Sequence, residues 1–277
     1  MITPAAFLSM ITDKFIHYNN SSLHYAKAGN GEEHLLVFHG CGQDLSVFDF
    51  FTQSLARHYT FYVFDLYFHG RSRWSHGEET LEKNEWKKTI ELFLGENSIR
   101  KFHIAGFSLG GKFALATLEA FPEKIQKVYL IAPDGIKTSF WYSLATYPGM
   151  LRKFFRSMIF HPDRFLTLAR FLNKTGLVDT GLIRFAEYQM NSEEKRARVY
   201  FSWVVFRHLN FDIDCIARII NEQDIQLTLI VGKFDKVITP QNMQRFTKKL
   251  KHYRFEILES GHSGLINQSL PFFINAE

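Results

Sequence analysis

The sequence predicts an α/β protein whose core is a twisted, mostly parallel sheet flanked by helices. Short apolar runs recur along the chain, and segments with helical spacing separate most of them, as crossovers between parallel strands require. A serine between two glycines, Ser108, lies where one such run meets a helical segment. The predicted core strands are residues 34–39, 61–65, 101–106, 127–132, 227–232 and 254–259.

Two further strands are expected to precede this core as a β-hairpin. They are residues 15–20 and 23–29, and Asn19-Asn20-Ser21-Ser22 provides the turn chemistry between them. The first core strand contains Leu35-Leu36-Val37-Phe38, a run without alternation. Such a run is typical of a strand that is buried on both faces.

The stretch Gly106-Phe107-Ser108-Leu109-Gly110 has the pattern of a nucleophile elbow. An elbow holds its serine in a left-handed backbone conformation and leaves room only for very small residues two positions away, which Gly106 and Gly110 supply. Apolar residues at helical spacing follow from 111 to 121, and Pro122 ends that segment. Ser108 is therefore predicted to lie in a strand-to-helix turn with its hydroxyl raised from the sheet.

A serine nucleophile needs a base and a carboxylate that orients the base. His262 follows the last predicted strand in a glycine-containing loop and is the candidate base. Asp235 follows the strand at 227–232 and is the preferred acid. Asp134 is the alternative acid, because it follows the strand after the elbow helix.

An acyl-transfer site also needs two preorganised N–H donors where the carbonyl oxygen becomes negative, each contributing about 3 kcal/mol. The candidates are the backbone amides of Cys41, in the turn after the first core strand, and of Leu109, at the start of a helix. His39 and Gly40 belong to the same turn as Cys41. His39 is expected to hold that turn by hydrogen bonding rather than to act as an acid or a base.

With these landmarks the chain resembles the α/β-hydrolase superfamily, in its branch of small capped serine esterases and carbon-carbon bond hydrolases. The order serine, acid, histidine along the chain is the order of that superfamily. Two departures are visible: Phe68 stands where a glycine is usual, and Cys41 is an unusual residue after His39-Gly40. The matching residues are His39-Gly40, Asp65-Leu66-Tyr67-Phe68-His69-Gly70-Arg71-Ser72, the elbow at Ser108, Asp235 and Gly261-His262.

The resemblance implies an α/β-hydrolase fold with a helical cap inserted after the strand that follows the elbow helix. Too many residues separate the strands at 127–132 and 227–232 for one crossover, so residues 134–215 are predicted to form the cap, and residues 1–133 and 216–277 the core. The cap is rich in aromatic residues. It also holds twelve Lys and Arg against eight Asp and Glu, a surplus of +4 out of the net charge of +5.

That basic surplus has two interpretations. It can steer an anionic substrate or an acidic membrane surface towards the cap. The preferred interpretation is that the bases solvate the outer faces of amphipathic helices, while the aromatic residues form a small core. Nucleic acid is not an expected partner, because no recognition motif accompanies the charge.

The expected reaction is hydrolysis of an ester with a hydrophobic acyl or alcohol group through an acyl-serine intermediate. The aromatic cap favours an apolar small-molecule substrate. A serine at position 108 excludes haloalkane and epoxide chemistry, which needs an aspartate nucleophile. Carbon-carbon bond hydrolysis, a thioesterase or lyase step on the same residues, and a noncatalytic small-ligand receptor remain alternatives.

Cysteine usage and hydropathy indicate the cofactor content and the cellular compartment. Cys41 and Cys215 are too few for a disulfide framework, and no Cys and His spacing resembles a metal site, so neither a metal nor an organic cofactor is expected. Residues 1–15 show no leader pattern, and no apolar run reaches about 18 residues. The protein is expected to be cytoplasmic, with no integral membrane segment and at most a weak surface association through the cap.

Overall fold

A computed structural model of the chain describes residues 12–137, 140–176 and 178–274. Residues 1–11, which belong to the stretch predicted to lack a leader, lie outside the described residues. Eight strands form one sheet. They are β1 (Thr12–Tyr18), β2 (Ser21–Ala28), β3 (Glu33–Phe38), β4 (Tyr59–Phe64), β5 (Phe102–Phe107), β6 (Ile125–Ile131), β7 (Gln226–Gly232) and β8 (Arg254–Leu258).

The strand order in the sheet is β1-β2-β4-β3-β5-β6-β7-β8. β2 runs antiparallel to β1 and β4, and all other neighbouring strands are parallel. The predicted mostly parallel α/β architecture is confirmed.

The first two strands form the predicted hairpin. Asn19 and Asn20 connect them with φ angles of 47° and 60°, and Tyr18 pairs with Ser21. Two consecutive left-handed residues form a turn whose twist matches the flanking strands, and asparagine tolerates that conformation well. β1 starts at Thr12, three residues earlier than predicted, because its exposed polar first residues give no apolar signal.

Twelve α-helices accompany the sheet among the described residues. They are α1 (Asp49–Leu55), α2 (Lys83–Glu96), α3 (Gly110–Ala120), α4 (Phe140–Thr146), α5 (Gly149–Ser157), α6 (Pro162–Thr175), α7 (Thr180–Gln189), α8 (Glu193–Val205), α9 (Ile213–Glu222), α10 (Pro240–Thr247), α11 (Leu265–Gln268) and α12 (Pro271–Ile274).

The sheet is buried on both faces because alternate residues of its central strands enter two separate cores. In β3, Leu36 and Phe38 belong to one cluster, which α2, α3, α9 and α10 cover. Leu35 and Val37 belong to the other, which α1, α11 and α12 cover. β3 is therefore buried on both faces, as its unbroken apolar run predicts.

Helices α4 to α8 lie between β6 and α9 and have an apolar cluster of their own, which includes Phe155, Met190 and Tyr200. Helix α9 differs, because its buried residues, such as Ile213 and Ile216, belong to the core cluster on the sheet. The expected boundary between residues 215 and 216 falls inside α9. The division of the chain into core and cap stays a prediction.

The carboxyl ends of the parallel strands meet at one edge of the sheet. Phe38 at the end of β3 is level with Phe64 in β4 and Gly106 in β5. Ile131 at the end of β6 pairs with Phe107 and Ile230. The turns after these strands therefore lie close together, in the place where open parallel sheets bind their ligands.

Within the described part of the chain, no helix combines the length and the apolar character needed to cross a lipid bilayer.

Candidate active site

Ser108 lies in the turn between β5 and α3 with φ at 50°, the left-handed region predicted for it. Its N–H donates to the carbonyl of Ile131 at 3.0 Å. Its own carbonyl accepts from the N–H groups of Gly111 and Asp134, both at 2.8 Å. Three backbone hydrogen bonds thus hold the strained residue in place.

Gly106 and Gly110 flank the serine for a steric reason. A Cβ atom on Gly106 would lie 2.5 Å from the carbonyl oxygen of Gly110. A Cβ atom on Gly110 would lie 2.1 Å from the carbonyl oxygen of Phe38. Any side chain at either position would force the elbow or β3 to move.

His262 connects the serine to a carboxylate. Its Nε2 lies 2.9 Å from Ser108 Oγ, and its Nδ1 lies 2.6 Å from Asp235 Oδ2. A carboxylate can only accept, so Nδ1 carries the proton and Nε2 is free to accept from the serine hydroxyl. The structure thus brings together the three side chains that the sequence singled out.

Asp235 is anchored before it reaches the histidine. It is buried, and its Oδ1 accepts from the N–H groups of Val237 at 2.7 Å and Ile238 at 2.9 Å. Asp134 is directed elsewhere: its Oδ1 accepts from Gly135 N, and its Oδ2 lies 3.8 Å from Nζ of Lys112. The carboxylate in contact with the imidazole is therefore that of Asp235.

Two aromatic rings flank the imidazole of His262. Phe107 from β5 lies 5.1 Å away between ring centroids, and Phe185 from α7 lies 5.9 Å away with its ring at 79° to the imidazole. The side chain of His262 is only 11% exposed. His262 therefore lies in largely apolar surroundings.

The amides of Cys41 and Leu109 are the candidate oxyanion donors. Across residues 12–137, 140–176 and 178–274, neither amide donates a hydrogen bond. Leu109 immediately precedes the first turn of α3, where backbone N–H groups favour an anion. Both amides are thus available for a substrate oxygen.

His39 and His69 support the turn that carries Cys41. His39 accepts from the N–H of Leu66 at Nε2 and donates from Nδ1 to the carbonyl of Gly40. His69 accepts from the N–H of Gly42 at Nε2 and donates from Nδ1 to the carbonyl of Tyr67. Each ring uses one donor and one acceptor, so both imidazoles must be neutral.

Burial keeps these two histidines neutral. It lowers the pKa of His39 and, together with the nearby His39, lowers the pKa of His69 to about 3. Protonating either ring would also remove the acceptor that holds a backbone N–H. The geometry of His39 is that of a support for the turn.

Asp65 anchors the segment from 65 to 72 that the sequence marked as a landmark. Its carboxylate accepts from the N–H groups of Leu45 and Arg71, both at 2.9 Å, and lies 2.7 Å from Nδ1 of His24. Burial raises its pKa, but these hydrogen bonds outweigh burial and hold the pKa below its ordinary value. Asp65 therefore holds the turns at Leu45 and Arg71 in place.

Sequence reasoning missed Gln189, at the end of α7. Its Nε2 donates to the carbonyl of Cys41 at 3.2 Å. Its Oε1 occupies the space beside Gly42, where a Cβ atom would lie only 2.3 Å away. No catalytic motif includes a glutamine 148 residues from its partner, so only the fold reveals the contact.

Helix α7 reaches three of the loops at the site. Besides Gln189 on the Cys41 turn and Phe185 on His262, Asp179 at its start lies 3.8 Å from Lys236, the neighbour of Asp235. Asp179 also caps the helix by accepting from the N–H of Gly181. One helix outside the sheet therefore contacts the Cys41 turn, His262 and the neighbour of Asp235.

Phe68, the departure from the usual glycine, has φ at 68°. Its ring stacks on Phe201 of α8 at 5.5 Å and lies 5.8 Å from Phe206. A bulky residue in this backbone region is strained, so the ring contacts must offset the cost.

Cys41 does not offer a reactive thiol. Desolvation by burial raises the pKa of its thiol to about 12, so the thiolate is scarce at neutral pH. In the described part of the chain, no group of three or more His, Cys, Asp or Glu residues is arranged to hold a metal ion.

Comparison with known proteins identifies the fold. The family model for the alpha/beta hydrolase fold matches residues 33–268. A membrane phospholipase A described as a bacterial virulence factor superposes with a TM-score of 0.66 at 19% identity, covering 98% of this chain and 88% of that one.

Curated relatives match over shorter stretches. The dihydrolipoyllysine-residue acetyltransferase component of the acetoin cleaving system from Cupriavidus necator is 31% identical over 122 residues, 44% of this chain and 32% of that protein. A pimeloyl-[acyl-carrier protein] methyl ester esterase from Nitrosospira multiformis is 28% identical over 155 residues, 53% of this chain and 57% of that protein. The chain thus spans less than two thirds of the length of these relatives.

The neutral state of His69 makes stability depend on pH. Below pH about 6.5 the unfolded chain binds a proton at His69 that the folded chain does not, so stability falls as pH decreases towards about 3. We expect His69→Gln, which keeps a donor and an acceptor but does not titrate, to lose less stability than the parent as the pH falls. Between pH about 6.5 and about 5, its loss of unfolding free energy should be smaller by about 2 kcal/mol.

Urea unfolding of parent and variant at both pH values measures this difference. His58→Gln, at an exposed position, is the matched control and should behave as the parent does. Equal losses in His69→Gln and the parent would contradict the neutral assignment.

Proposed function

The chain belongs to the alpha/beta hydrolase family, and from that premise we propose that it is a serine esterase with Ser108 as nucleophile. His262 is the base, and Asp235 orients it. The backbone amides of Cys41 and Leu109 form the oxyanion hole. The substrate is an ester with an apolar acyl or alcohol group.

One observation carries this proposal: the continuous hydrogen-bonded line from carboxylate to imidazole to hydroxyl. The two links measure 2.6 Å, from Asp235 to His262, and 2.9 Å, from His262 to Ser108. Both lie within the reach that proton transfer needs. Each residue presents the atom that its role requires.

The first half of the reaction acylates the serine. Nε2 of His262 takes the hydroxyl proton as Oγ of Ser108 attacks the ester carbonyl, and Asp235 stabilises the imidazolium that forms. The same proton then goes to the leaving alcohol. In the second half, His262 activates a water that attacks the acyl-serine, and the acid leaves.

The oxyanion hole acts in both halves. As the carbonyl oxygen becomes negative, the N–H groups of Cys41 and Leu109 donate to it, and the amino-terminal end of α3 adds a favourable field. Gln189 holds the Cys41 turn through its carbonyl, so we assign it a positioning role. The two buried neutral histidines, His39 and His69, hold the same turn from the core side.

The rings around the site favour an apolar ester. Phe107 and Phe185 flank His262, and Phe68 of the core stacks on Phe201 of α8. An ester as the substrate class agrees with the name of one curated relative, the methyl ester esterase from Nitrosospira multiformis.

Replacing the nucleophile tests the proposal most directly. We expect Ser108→Ala to lower kcat/KM on p-nitrophenyl esters by about 10³-fold or more while leaving the unfolding temperature close to that of the parent. A fluorophosphonate probe should label the parent and leave the variant unlabelled.

Ser54→Ala, an exposed serine on α1, is the matched control and should retain both activity and labelling. Turnover that persists in Ser108→Ala would rule out this nucleophile. A parent that neither turns over any ester nor takes the probe would favour a noncatalytic receptor.

The two candidate acids can be separated by amide substitution. Oδ1 of Asp235 is held by two backbone N–H groups, so in Asp235→Asn the amide NH₂ faces Nδ1 of His262 and favours the wrong tautomer. We expect kcat to fall by about 10³- to 10⁴-fold. Asp134→Asn should keep kcat near the parent value, and the opposite ranking would transfer the role to Asp134.

The positioning role of Gln189 predicts a loss in kcat rather than in KM. Without the amide, the Cys41 turn is less well held, so we expect Gln189→Ala to lower kcat about tenfold, a fraction of the loss of an oxyanion donor. Gln189→Glu keeps the shape but cannot donate, and should be at least as impaired. Tyr188→Ala, an exposed neighbour on α7, is the control, and steady-state kinetics would show an unchanged kcat in all three if Gln189 had no such role.

A further inference from the structure

Helix α5 presents an apolar stripe to solvent. Tyr147, just before the helix, and Met150, Leu151 and Phe154 within it follow the spacing that places residues on one side of a helix. Their exposed fractions are 47%, 86%, 38% and 43% respectively. Single exposed apolar residues are ordinary on proteins, but four on one side of one helix form a patch.

The flank of α5 that borders Leu151 is the one that packs on the protein. Phe155 is buried, and its ring lies 5.2 Å from Tyr200 and 5.6 Å from Trp203, both in α8. The helix is therefore apolar over an arc wider than the packing against α8 uses. The outer part of that arc faces away from α8.

Basic residues flank the stripe without acidic neighbours in sequence. Residues 135–162 contain Lys137, Arg152, Lys153 and Arg156 and no Asp or Glu, so this stretch holds a surplus equal to that of the whole segment 134–215. Arg156 pairs with Glu78 of the core at 3.0 Å. Arg152 and Lys153 form no salt bridge with any residue the structure describes.

We propose that this outer side of α5 docks on an anionic phospholipid surface. The docking face consists of Tyr147, Met150, Leu151 and Phe154 with the cations Arg152 and Lys153. The helix would lie parallel to the bilayer, with its apolar side chains at the boundary of headgroups and acyl chains and its cations on lipid phosphates.

Charge and hydropathy together favour this occupant over a protein. A second copy of the chain on the same face would place like charges against each other. The charge of an acidic protein partner would complement Arg152 and Lys153, but it would provide no apolar contact for Met150, the most exposed of the four. A bilayer with anionic headgroups satisfies the cations and the apolar stripe at once.

This docking is independent of the proposed esterase activity, because no residue of the docking face contacts Ser108, Asp235 or His262. The two surfaces are nevertheless linked through α8. Tyr200 and Trp203 of α8 support α5, while Phe201 of the same helix stacks on Phe68 beside the site. A docked cap would place α8 between the bilayer and the core.

Vesicle sedimentation with the full chain tests the proposal. The parent should sediment with vesicles of phosphatidylcholine containing about a third phosphatidylglycerol, much less with phosphatidylcholine alone, and less at about 0.5 M than at about 0.1 M salt. Met150→Ser with Phe154→Ser, and separately Arg152→Gln with Lys153→Gln, should each weaken binding by about tenfold.

Matched controls distinguish this face from general stickiness. Phe50→Ser, at a residue of α1 that is 59% exposed, and Arg57→Gln with Lys248→Gln, exposed bases of the core, should bind as the parent does. Lys153→Gln alone, at an exposed position, retains the test if a double variant fails to fold. Failure of the parent to bind anionic vesicles, or binding that neither surface variant weakens, would overturn the proposal. It would also be overturned if the parent did not bind vesicles but formed a dimer in gel filtration, and Met150→Ser with Phe154→Ser converted that dimer to monomer.

Discussion

The backbone of Ser108 lies at a φ of 50°, where a residue with a side chain costs about 1–2 kcal/mol. The sheet sustains that cost through the hydrogen bonds of this one residue to β6 and to the turn after it, and through the absence of side chains at Gly106 and Gly110. With the backbone turned in this way, the hydroxyl rises above the carboxyl ends of the strands and meets His262. The neighbouring loops are arranged around that point.

A second layer of buried polar groups keeps the surrounding turns in place. Neutral imidazoles do this well, because each can hold one N–H and one carbonyl without a net charge. His39 and His69 sit side by side in this role, 5.2 Å apart, and Asp65 fixes the next segment with its hydrogen bonds. In a low-polarity interior a charged pair of rings would be costly, so burial itself selects the form that the turn needs.

The sequence was sufficient where local chemistry dictates local structure. Strand patterns placed the ends of β5 and β7, and with them Ser108 and Asp235, and the glycines marked the elbow because nothing larger fits. It was insufficient where contacts depend on packing between distant segments. Gln189 has no local signature, and the start of β1 carries polar residues on an edge that needs no apolar face. Helix α9 packs on the sheet because Ile213 and Ile216 enter the core cluster, a contact that no local pattern indicates.

Phe68 limits which residues can replace it. Relaxing its backbone by substituting glycine would remove the ring that stacks on Phe201, and keeping the ring preserves the strain. At position 68, an unstrained backbone and the ring contact that attaches α8 therefore exclude each other. Substitution at position 68 would therefore change how firmly α8 is attached to the core without changing Ser108, Asp235 or His262.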